Sequence, residues 1–132
     1  MSSLQQINAE GVPRPGGPYS HAIRSGGIIF VSGQLPINPG SGHIEARDIR
    51  EKTRQVLANL RRVLEAAGSD LEHVVRVTVY LRDKKRDFAA MNEVYAGHFP
   101  QKPARTTIEV GYIKELPLPA LVEMDVIAVA RE

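Results

Sequence analysis

Apolar positions change their period along the chain, and each change marks an element. Between Ile49 and Ala67, the residues Ile49, Thr53, Val56, Leu57, Leu60, Val63, Leu64 and Ala67 recur at spacings of three and four. That is the buried face of an α-helix. Arg50, Glu51, Arg54, Arg61 and Glu65 fill the opposite face, and Gly68 stands where a C-cap glycine belongs. Residues 74–82, VVRVTVYLR, alternate instead: Val75, Val77, Val79 and Leu81 point one way, and Arg76, Thr78 and Tyr80 the other. This is the period of a strand with one apolar side. A second helix is predicted from about Asp87, as its N-cap, through Phe99, with Phe88, Met91, Val94, Tyr95 and Phe99 as a packing stripe.

Four further segments read as strands. Residues 19–25 and 28–32 flank Gly26-Gly27, a hairpin signal. In 104–111 the set Ala104, Thr106, Ile108 and Val110 opposes Arg105, Thr107 and Glu109, and 120–130 alternates about Val122, Met124, Val126, Ala128 and Ala130. The Gly- and Pro-rich stretches 11–18, 35–43 and 112–119 read as arm and loops. The order β-β-helix-β-helix-β-β predicts a two-layer α+β domain spanning 1–132, with both helices on one face of a mixed sheet. On this pattern the uncovered face holds Arg76, Thr78, Tyr80, Arg105, Thr107, Glu109, Glu123 and Asp125, with Leu121, Ile127 and Val129 among them. Such a mixture suits a wet oligomer interface as well as an open sheet face. Arg105 occupies a mid-strand position where a β-branched residue would be the easy choice. The spacing leaves it open between an ion pair with Glu109 or Glu123 and a bidentate carboxylate site.

Composition narrows the chemistry. With 132 residues, 42% hydrophobic and 24% charged, the chain suits one globular domain. The chain has no cysteine, which excludes a disulfide framework, a thiol nucleophile and a thiolate metal site. No apolar run approaches the roughly 18 residues of a membrane span, and Met1–Pro18 lacks a signal-peptide core, so a cytoplasmic protein is expected. The four histidines, His21, His43, His73 and His98, have no metal-ligand spacing. Ser32 stands in Val-Ser-Gly, outside a nucleophile elbow. The net charge is +2 and aromatic residues make up 5%, so neither a basic stripe nor a base-stacking platform for nucleic acid is evident. The run Arg82-Asp83-Lys84-Lys85-Arg86 reads as a solvated loop.

Five blocks carry a resemblance: Gly17-Pro18-Tyr19-Ser20-His21-Ala22, Val31-Ser32-Gly33-Gln34-Leu35-Pro36, Met91-Asn92-Glu93-Val94-Tyr95, Pro103-Ala104-Arg105 and Val122-Glu123-Met124. Together, in this order and over nearly the whole chain, they resemble the Rid family, also called YjgF and L-PSP. The resemblance implies a chorismate-mutase-like fold and a homotrimer whose sheets enclose a barrel, with clefts between subunits. It implies hydrolysis of 2-imino acids to 2-keto acids and ammonia, as in 2-iminobutanoate/2-iminopropanoate deaminases, without metal or cofactor. Position by position, Arg105 matches the carboxylate clamp and Glu123 the residue that positions water. Tyr19, Ser32 and Asn92 match cleft residues, and the backbone of Gly33 and Thr107 matches the groups that hold the imine nitrogen. The sequence departs from the pattern at Thr107, where many members have cysteine, at His21, where glutamine is common, and in a longer 112–119 loop. Two other readings are a trimer that binds small carboxylates or keto acids without turnover, and RNA cleavage. The binding reading needs Arg105 but not Glu123, and RNA cleavage finds little support in the composition.

Overall fold

The computed structural model describes residues 3–131. Its elements are strands β1 (Leu4–Ile7), β2 (Ala22–Ser25) and β3 (Ile28–Gln34), helix α1 (Ile49–Ala66), strand β4 (Val74–Leu81), helix α2 (Lys84–His98), and strands β5 (Ala104–Glu109) and β6 (Val122–Val129). One six-stranded sheet has the order β1-β2-β3-β6-β4-β5. Among the described strands, only β4 and β5 pair in parallel. Because β3 and β4 both run antiparallel to β6, they run parallel to each other with β6 inserted between them. Both helices lie on one side, α1 over β3 and β6 and α2 beside α1 over β4. This is the expected two-layer α+β architecture.

Local chemistry accounts for the elements. The Asp48 side chain accepts from Glu51 N at 2.8 Å and caps α1. Val56, Leu57, Leu60, Val63 and Leu64 are completely buried, each contributing about 1.5–3 kcal/mol of transfer free energy. The helix closes on Gly68 at φ +86°, with Gly68 N donating to Glu65 O and Ser69 N to Leu64 O, a Schellman motif. Asn59, also buried, donates to the carbonyls of Leu35 and Ile37 and fastens that loop to α1. Among the described residues no helix is long and apolar enough to cross a membrane.

Four expectations need correction. An additional edge strand, β1, pairs with β2. Helix α2 begins a turn earlier than expected: Asp83, not Asp87, is its N-cap, accepting from Arg86 N at 3.0 Å. Asp87 is instead buried in a two-point contact with Arg86. In β4 a bulge between Val74 and Arg76 shifts the register, so Val74 is buried and Val75 is exposed. Finally, Leu121 precedes β6 with φ +64° and is not a strand residue.

Candidate functional site

The register of β5 decides where Arg105 works. Its partner on β4 is Val77, whose side chain is completely buried beneath the helices, and Thr107 pairs with Val79 in the same way. Partners in a sheet share a face. Arg105, Thr107 and Glu109 therefore lie on the helix side, whereas Ala104, Thr106 and Ile108 lie on the uncovered side with Arg76, Thr78 and Tyr80. The expectation that Arg105 sits on the uncovered face beside Glu123 is wrong. Glu123 pairs with Tyr80 on that face, between the buried Val122 and Met124. Arg105 and Glu123 stand on opposite sides of one sheet.

The candidate residues thus form two groups. The first gathers between β5 and α2. The Arg105 guanidinium lies 4.7 Å from the centroid of the Tyr95 ring and 5.8 Å from that of Phe88. Asn92 is one helical turn from each of them. Neither ion pair considered for Arg105 forms: among the described residues none of the salt bridges includes it. Glu109 instead accepts from Lys84 N at 2.9 Å. The buried side-chain polar atoms without a hydrogen-bond partner, among the described residues, are Asn92 Oδ1, Tyr95 Oη and Thr107 Oγ1. All three belong to this wedge. Unpaired buried polar atoms are costly and rare, so their clustering singles out this wedge as a candidate site. Burial also raises the Tyr95 hydroxyl pKa above that of an ordinary tyrosine, with Arg105 acting in the opposite direction.

The second group is built around a bulge in β3. Val31 pairs with Val126 and Gln34 with Met124, so Ser32 and Gly33 contain one extra residue. Gly33 faces Glu123 so closely that a Cβ there would collide with the carboxylate oxygen and stand 3.1 Å from Cδ. The Ser32 hydroxyl donates to Ser20 O at 2.7 Å, and Ser32 N donates to His21 O at 2.9 Å, which ties the bulge to the arm carrying Tyr19. His21 is buried and anchors that arm: its Nδ1 accepts from Ala9 N at 2.9 Å, and Nε2 donates to Pro13 O at 2.7 Å. Tyr19 itself is exposed, its hydroxyl accepting from Gly16 N. Together with Lys114 and Leu116 it lines a groove of about 560 Å³, so the 112–119 loop shares a groove with Tyr19.

Glu123 is partly buried. Burial raises its pKa above the usual 4.5, and the like charge of Asp125 adds to the shift. Tyr80 donates to Asp125 Oδ2 at 2.8 Å, and this hydrogen bond in turn raises the Tyr80 pKa. The surrounding uncovered face carries an apolar ladder, with Phe30 opposite Ile127 and Ile28 opposite Val129. Ile28, Phe30, Ile108 and Val129 are all substantially exposed there. By spacing alone Phe88 and Tyr95 read as packing residues. Their seven-residue spacing, which places both on the helical face toward β5, was the available signal of their contact with Arg105.

A family model described as Endoribonuclease L-PSP matches residues 10–130. A RutC family protein of Pyrococcus horikoshii is 50% identical over 123 residues, covering 92% of this chain and 94% of its own. The Reactive Intermediate Deaminase A, chloroplastic, of Arabidopsis thaliana is 39% identical over 123 residues, covering 92% of this chain and 64% of its own. The crystal structure of E. coli TdcF with bound serine superposes with a TM-score of 0.86 at 31% identity, covering 96% of this chain and 99% of that one. Matched in fold and over nearly its full length, the chain belongs to the Rid family, whose model carries the Endoribonuclease L-PSP description.

Proposed function

We propose that this chain is a cytoplasmic hydrolytic deaminase of small 2-imino acids, acting as a homotrimer whose clefts each join the Arg105 group of one subunit to the Glu123 group of the next. The observation that carries the reading is Arg105 itself, held between aromatic rings with no ionic partner among the described residues. A guanidinium in that state suits a ligand carboxylate. Glu123 lies across the sheet, so one copy supplies the clamp and another the base. The exposed ladder of Ile28, Phe30 and Val129 beside Glu123 gives the uncovered face a reason to be buried against a second copy. The printed name of the Arabidopsis relative and the serine bound to TdcF fit an amino-acid-derived substrate.

The chemistry asks little of the protein. Arg105 fixes the carboxylate, and the backbone of Gly33 and Thr107 holds the imine nitrogen, with Tyr19, Ser32 and Asn92 lining the cleft. Glu123 removes a proton from water as its oxygen bonds to the imine carbon. The C=N π electrons pass to the nitrogen of the protonated imine, leaving a neutral amino group. The protonated Glu123 then returns its proton to that nitrogen, the C–N bond breaks and ammonia leaves with the bonding pair as the C=O bond forms, and the hydroxyl proton passes to the Glu123 carboxylate and from there to ammonia. Fixed geometry supplies proximity, and a base contributes about 10²–10⁴-fold. No metal or cofactor is invoked. An amino-acid oxidase that generates the imine in the presence of semicarbazide provides the assay. Wild type should suppress semicarbazone formation, and Arg105→Ala and Glu123→Ala should not. Equal trapping with wild type and Arg105→Ala would reject the deaminase reading. Keto-acid binding retained in Glu123→Ala, with no turnover by wild type, would make the protein a binding trimer.

A further inference from the structure

A clamp needs an oriented guanidinium, and among the described residues no carboxylate provides that orientation. What the guanidinium meets is the Tyr95 ring at 4.7 Å and, further off, the Phe88 ring at 5.8 Å. The two rings differ in quality as platforms. Phe88 is only partly buried and is shared with the Lys84 ammonium 5.5 Å away. Tyr95 is 8% exposed and is braced by Phe99, whose ring lies 4.6 Å away, tilted by 45°. Phe99 is itself 2% exposed. Tyr95 is therefore a fixed surface, and Phe88 a softer one.

We propose that Tyr95 is the positioning residue of the carboxylate clamp, its ring holding the face of the Arg105 guanidinium so that the edge N–H groups remain free for substrate. A guanidinium can stack by its face while donating from its edge, so the ring and the ligand do not compete. This inference rests on the clamp reading above. It concerns the ring, and Tyr95→Phe separates the ring from the hydroxyl, on which Arg105 also acts.

The test combines calorimetric binding of pyruvate, the smallest keto acid of the product class, with KM and kcat in the imine assay. Tyr95→Leu removes the ring, and loss of a partly desolvated cation–π contact predicts a weakening of roughly ten-fold in pyruvate Kd and in KM. The fall in kcat should be smaller. Tyr95→Phe keeps the ring and should restore both constants to within about two-fold of wild type. Phe99→Leu loosens the brace without touching Arg105; it should lower the unfolding midpoint and weaken pyruvate Kd by less than Tyr95→Leu does. Wild-type binding by Tyr95→Leu, or equal weakening by Phe99→Leu, would overturn the proposal. Arg105→Ala separates the two levels. If it abolishes binding while Tyr95→Leu binds normally, only the positioning role falls. If Arg105→Ala itself binds like wild type, the clamp falls, and Tyr95 with it.

Discussion

Gly33→Ala isolates the placement of Glu123 from the presence of Glu123. The added Cβ would collide with a carboxylate oxygen and stand 3.1 Å from Cδ. The carboxylate oxygen is the nearer atom and sets the shift, so the carboxyl group must retreat by roughly 1 Å or more. The obstacle is the end of a flexible side chain, so the stability cost belongs at the low end for overpacking, about 1 kcal/mol. For a domain of this size that is a fall of roughly 3–5 °C in Tm. Catalysis should suffer far more. A displacement of about 1 Å at a reacting group can cost on the order of 10²-fold. Calorimetry and the oxidase-coupled assay should therefore separate: a folded protein with nearly normal keto-acid affinity, and kcat lower by one to two orders of magnitude. A kcat within about three-fold of wild type would refute the reasoning, because Glu123 would then be shown to tolerate the retreat.

Three further outcomes follow from the same geometry. Asp125→Asn removes the like charge that adds to the raised Glu123 pKa, so the acid limb of kcat/KM should move to lower pH, and an unmoved or higher limb would contradict that coupling. Glu123→Gln should be more stable than wild type at pH 8, with the difference vanishing in acid. The folded-state pKa is raised, so the favourable protonated form is lost as pH rises through it; denaturant midpoints that fail to diverge as pH rises would contradict a raised pKa. Asn59→Ala leaves the carbonyls of Leu35 and Ile37 unpaired and should cost about 1–3 kcal/mol in denaturant unfolding; no loss would mean that water replaces both bonds.

Periodicity exposed some of this molecule and was silent on the rest. Helix α1 was legible because its buried stripe runs unbroken to a glycine that must take positive φ. Strand β6 was legible because Val122, Met124, Val126 and Ala128 form one apolar row. In β5 both alternating sets are mixed, Ala104, Thr106 and Ile108 against Arg105, Thr107 and Glu109. A period of two then divides the residues without saying which set turns inward. The face was set by the parallel pairing with β4, a tertiary fact. The bulge at Val75 defeats alternation for a related reason, since one inserted residue exchanges the faces. The start of α2 was hidden by two aspartates four residues apart, either of which could cap a helix. Resemblance identified Arg105 and Glu123 as partners; their separation across the sheet required the fold.

That separation leads to the most direct test of a shared cleft. Arg105→Ala and Glu123→Ala subunits, each inactive alone, would be co-expressed or refolded together in equal amounts. If each cleft draws its arginine from one subunit and its glutamate from another, random mixing leaves both residues intact in about one quarter of clefts. The account predicts a return to about that fraction of wild-type imine hydrolysis. A mixture as inactive as its two components, with mixed assembly verified by mass, would contradict it.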